Sequence, residues 1–155
     1  MFGAIYAGFN LIGLVIQLAV TPKLFERLGV GATLRDTGNA SVFADTLVLE
    51  ASGMPNSMAF FLGMRLYFEQ STPAIFGDGV GCVMSASLFR LGSKPIVGGV
   101  ARFPEPGNTS LGVTAGMQAA YGSILYQVMY RNSAAAFCTP ATANMSAGLV
   151  VHWTP

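Results

Sequence analysis

From Gly38 to the C-terminus, apolar residues recur at every second position in short runs cut by glycine and proline. No helix-length amphipathic pattern intervenes, which disfavours strand–helix–strand units and a parallel sheet. Residues 46–51 place Leu47, Leu49 and Ala51 on one face, and residues 58–63 follow a Gly-Pro turn cluster as an apolar strand. Residues 65–70 fit either a strand or an irregular loop, and residues 77–81 form a glycine-rich turn delivering Cys82. Residues 88–91 and 97–103 read as strands split by the turn 92–95, and residues 104–108 as a loop. Residues 109–115 are expected as a strand with Leu111, Val113 and Ala115 on one face. Ser123–Arg131 is the strongest strand signal: Tyr126, Val128 and Tyr130 face one way, and Leu125, Gln127, Met129 and Arg131 the other. Residues 149–153 turn Leu149, Val151 and Trp153 inward against Val150 and His152. Ala134–Ala136 lies too near Pro140 to grow into a substantial helix. Several short strands at near-regular spacing predict an all-β fold, an antiparallel, jelly-roll-like β-sandwich over residues 37–155.

The first 36 residues follow a different grammar. Residues 1–21 carry no charge, and a run of about 20 apolar residues can span a bilayer as one α-helix. Residues 1–36 are therefore expected as an apolar helix and a candidate transmembrane segment, with membrane contact through residues 1–21. Lys23, Arg27 and Arg35 all follow the run, so the positive-inside rule leaves the N-terminus outside. A signal peptide would carry its basic residues before the run and a small-residue cleavage site after it, and Leu18-Ala19-Val20-Thr21-Pro22 fits poorly. With FNLIGLVIQL and TPKLFERLGVGATL, residues 1–34 resemble one helix and loop of a major-facilitator or ADP/ATP-carrier-like transporter. A single transporter helix cannot transport, because substrate sites lie between several helices.

Composition narrows the function. Hydrophobic residues make up 52% and charged residues 10%, which suits a membrane segment joined to a secreted β-domain with a Ser/Thr/Asn/Gly surface. A net charge of +1 without a basic stripe argues against nucleic acid. Cys82 and Cys138 would form one disulfide in an exported protein, closing a loop that the chain-entropy model values at about 4 kcal/mol. Two buried thiols are the alternative. No metal-ligand spacing is present, so neither metal nor cofactor is expected.

No group of residues announces catalysis, and an enzyme is not expected. The single histidine, His152, points outward on the last strand, and no GxSxG elbow occurs. Asp45, Glu50, Asp78 and Glu105 are scattered, with no visible carboxylate pair. Asp78 between glycines can offer one calcium ligand, but a turn bonding its own backbone explains it better. Tyr126, Tyr130 and Trp153 are candidates for stacking on a sugar ring, with core filling as the competing role.

The runs ASVFADTLVLEASGMP, FGDGVGCV, LFRLGSK, PEPGNTSLGV and YQVMYRNSAAAFCTPATANMSAGLVVHWTP resemble a C-terminal domain of secreted planctomycete and myxobacterial proteins. The resemblance covers residues 38–155. It implies a non-catalytic extracytoplasmic module, extracellular or on the cell surface, with a structural, adhesion or sorting role and no catalytic residues. A carbohydrate-binding module that contacts polysaccharide is the second reading. A membrane-anchored fragment of a composite reading frame is the third, because an exported domain conflicts with a leader that leaves the C-terminus in the cytoplasm.

Overall fold

The nine residues Ser123–Arg131 (β8) alternate without interruption and take the centre of the larger sheet. The computed structural model describes residues 32–66, 73–77, 79–117, 122–132 and 143–155. One edge of β8 pairs with Met58–Arg65 (β3), from Ala59 opposite Tyr130 to Arg65 opposite Ile124. The other edge is shared by Leu149–His152 (β10), along the first half of β8, and Ala143–Met145 (β9), along the second. Leu88–Pro95 (β6) pairs with the far edge of β3. A second sheet runs Thr33–Thr37 (β1), Val48–Ser52 (β2), Val100–Phe103 (β7), and a small hairpin joins Ala74–Phe76 (β4) to Gly79–Gly81 (β5). The fold is all-β, and its sheets are antiparallel.

The alternation of β8 determines which residues meet. Ile124, Tyr126, Val128 and Tyr130 are fully buried, and with Ala59, Phe61, Val151 and Trp153 they pack against Leu34, Leu49, Ala51 and Phe103 of the smaller sheet. The Phe61 and Phe103 rings meet across this core with centroids 5.7 Å apart. Each large apolar side chain buried there contributes about 1.5–3 kcal/mol. The opposite face of β8 is also covered: Leu125 packs with Leu62, Met64, Val83 and Met145, and Phe76 of β4 leans on the same cluster.

Gln127 lies on that second face, 1% exposed. Its Oε1 accepts the Cys82 N–H at 2.7 Å, and its Nε2 donates to Val80 O at 2.8 Å and Ser146 O at 2.7 Å. One buried amide thus ties β5 and the β9–β10 connection to the central strand. Ser146 extends the ladder where β9 ends, donating its N–H to Val128 O and accepting the Val128 N–H on Oγ.

The two sheets are joined at both sides. The β6–β7 turn closes through Gly98 and Gly99, whose φ values of 60° and 79° suit a two-residue hairpin loop. On the other side Ala147 N–H donates to Ala32 O at 3.0 Å, and residues 40–42 pair with Thr154.

Four expectations from the sequence need adjustment. Residues 109–115 do not form a strand: Leu111–Thr114 is a single helical turn. Leu111 and Ala115 are buried four positions apart, whereas Val113 is exposed, so the period is helical. Asp45 Oδ2 accepts the Gly112 N–H at 2.6 Å, and a Cβ on Gly112 would crowd the Trp153 ring at 3.0 Å. The break expected at 92–95 lies instead at 98–99. β6 runs straight through Gly92, which faces the Phe103 ring, after a bulge that shifts its register with β3. The boundary expected between residues 36 and 37 falls inside β1, where Leu34 alternates with Arg35 and enters the core. Strand β2 begins at Val48, although Leu47 keeps its inward place.

The expected apolar helix and membrane contact over residues 1–21 lie outside the described residues, as do the ambiguous stretch 67–70 and Ala134–Ala136. Among the described residues no helix is long and apolar enough to cross a membrane.

Two substitutions test this architecture. Leu34→Ala should cost about 2 kcal/mol in urea unfolding; no change would place β1 outside the core. Gln127→Leu leaves the part-buried Cys82 N–H and the Val80 and Ser146 carbonyls without their partner, and should cost about 2 kcal/mol. A neutral Gln127→Leu would show that the amide does not tie these segments together.

Candidate functional site

Register places three charges in a row across the outer face of the smaller sheet: Arg35 opposite Glu50, and Glu50 opposite Arg102. Glu50, on the central strand, is buried to 7% exposure. Arg35 donates to Glu50 Oε1 through Nε at 2.8 Å and through Nη2. Arg102 Nε donates to Oε2 at 2.5 Å. The two guanidinium side chains stay open to solvent, at 67% and 62% exposure. Hydrogen bonds from Arg35 and then Arg102 hold the Glu50 carboxyl below its ordinary range, against an opposing effect of burial.

This ladder floors a broad groove of about 1250 Å³. Val48, Val97 and Val100 line it beside the ladder, and Pro104, Pro106 and Asn108 form its far wall. That wall is braced. Lys94 Nζ donates to Glu105 Oε2 at 2.7 Å and to Asn108 Oδ1 at 2.8 Å, and Asn108 N–H donates to Glu105 O at 2.9 Å. Asp45, also in the lining, accepts the Leu47 N–H at 2.9 Å and the Gly112 N–H at 2.6 Å.

The residues singled out from sequence lie elsewhere. Tyr126 and Tyr130 are fully buried and Trp153 is nearly so, and Trp153 Nε1–H donates to Tyr126 Oη at 3.1 Å inside the core. Burial pushes the Tyr126 phenol well above its ordinary range. These rings fill the core and offer no open face for stacking on a sugar. Cys82 is half-buried at the end of β5, with its sulphur near Gly148. Its expected partner, Cys138, lies outside the described residues, as does Asp78. His152 is exposed on β10 as expected, and its Nδ1 shares a 2.7 Å hydrogen bond with Ser123 Oγ across the strand pair. Among the described residues no carboxylate bonds that ring, and no three metal-ligating side chains converge.

The ladder was not anticipated from the sequence. A signal existed: each of TLRDT, VLEAS and VARF carries one central charge inside a short β-type run. Only the register reveals that these charges are neighbours.

No family model matches this chain, and neither the curated proteins nor the solved structures contain a significant match.

The lowered Glu50 pKa carries a pH signature. A carboxylate depressed on folding adds stability that is complete above its unfolded pKa, about 4.3, and is lost as pH falls through the folded value. Glu50→Gln should therefore be less stable by about 1–2 kcal/mol at pH 7, with the deficit shrinking below pH 4. Parallel stability–pH curves for the two proteins would contradict this.

Proposed function

We propose that this chain is a non-catalytic, extracytoplasmic module of jelly-roll-like sandwich form, whose outer groove holds polysaccharide for adhesion or surface attachment. The observation that carries the reading is the groove itself, a wide open surface floored by a fixed charged ladder and walled by a braced proline loop. Its acidic residues are engaged in structural bonds: Glu50 with two arginines, Glu105 with Lys94, and Asp45 with two backbone amides. Acid–base catalysis needs titratable groups converging on one reacting atom, whereas these groups converge on the protein's own donors. The resemblance of residues 38–155 to terminal domains of secreted proteins agrees with this role.

A panel of immobilised surface polysaccharides tests the reading. The chain should be retained on at least one, with no new reducing ends after prolonged incubation. Retention on none, or steady release of reducing ends, would refute it. Export makes a separate prediction: oxidised protein, unfolded without reductant, should yield no labelled thiol, because Cys82 is paired with Cys138. Two labelled thiols would count against an oxidising location.

A further inference from the structure

We propose that the open guanidinium edge of Arg102, with Arg35 beside it, binds the carboxylate of a uronic-acid polysaccharide lying in the groove. The assignment rests on the reading of the chain as a polysaccharide-binding module, and it supplies that module's ligand class.

The argument begins with what each group has left to offer. Among the described residues Arg102 is tied to Glu50 through Nε alone, and its Nη1 and Nη2 donors form an open fork. Arg35 commits Nε and Nη2 to the same carboxylate and keeps Nη1. Glu50 fixes both guanidinium groups before any ligand arrives, which lowers the conformational cost of binding. A planar fork with two parallel N–H donors matches the two oxygens of a carboxylate, and a guanidinium loses less hydration than an ammonium on pairing. Three acidic residues also line the groove: Glu50 offsets one of the two arginines, Lys94 offsets Glu105, and Asp45 is turned onto two backbone amides, so the ladder keeps one net positive charge at its open guanidinium edge.

Stacking is a poor alternative. Among the described residues every tyrosine and tryptophan is buried, and exposed Phe43 does not line the groove. A neutral polymer would find no aromatic platform there. The remaining lining offers a sugar chain hydroxyls from Thr37, Thr46 and Ser110 and flat apolar contact from Pro104 and Pro106.

The test is binding of the full chain to polygalacturonate, with dextran, dextran sulphate and polyglutamate as comparison polymers. Polygalacturonate should bind best. Arg102→Gln should weaken it about tenfold, or 1.4 kcal/mol. Arg102→Lys, which keeps the charge but lacks the fork, should weaken it nearly as much, and melting curves check that both variants remain folded. Unchanged binding by Arg102→Gln, or full rescue by Arg102→Lys, would overturn the site while leaving the module reading intact. Preference for dextran would do the same to the carboxylate assignment, and equal binding of dextran sulphate or polyglutamate would overturn it too. If no polysaccharide is retained, the assignment and the module reading fall together.

Discussion

Two-sided burial of β8 is the constraint on which the remaining structure depends. Its inner residues, Ile124 to Tyr130, supply the wall against which the smaller sheet packs, and its outer residues receive the β4–β5 hairpin. Both edges are paired, one along β3 and the other by β9 and β10 in turn. A strand buried on both faces normally reads as uninterrupted apolar sequence. Here Gln127 stands in the middle and is tolerated because all three neighbouring backbone groups bond to it. The amide gives the outer layer a fixed place that aliphatic packing alone would specify less sharply, since apolar contacts are not directional.

Edges present the complementary problem, because an unpaired strand invites association with another chain. The molecule limits this at the two places where its sheets approach. At one, the Gly98–Gly99 hairpin turns β6 into β7. At the other, the C-terminal residues fold back so that Thr154 pairs with residues 40–42 and Ala147 caps Ala32. The last residues of the described chain therefore help to hold its beginning, and Trp153 enters the core between them.

Much of this was legible in sequence because the period of two is a local consequence of the pleat. Tyr126, Val128, Tyr130, Val151 and Trp153 all point where their alternation placed them. What escaped was decided by distant partners. Residues 111–115 fit a strand on alternation alone, and the helical turn is held by Asp45, 67 positions away. The ladder joins residues 15 and 52 positions apart, which no window of sequence spans. Gly92 looked like a turn because nothing local shows that Phe103 needs its space. The aromatic residues were ambiguous for a related reason: a tyrosine at period two suits both a core and a binding face, and only burial separates them.

The ladder raises a question that its stability alone does not answer. A buried carboxylate must be stripped of water, and its attraction to nearby arginines offsets that cost without a large surplus. Exposed arginines add little further, since water screens them. Threonine or valine at positions 35, 50 and 102 would suit a half-buried sheet face at least as well by β propensity. The ionic set instead holds two guanidinium groups at fixed positions on a rigid sheet and leaves most of their surface to solvent. Placing recognition groups on strands rather than loops keeps their geometry within tight limits. Under the proposed recognition role, Glu50 both stabilises the sheet through its two arginines and acts as a positioning residue that fixes their guanidinium groups.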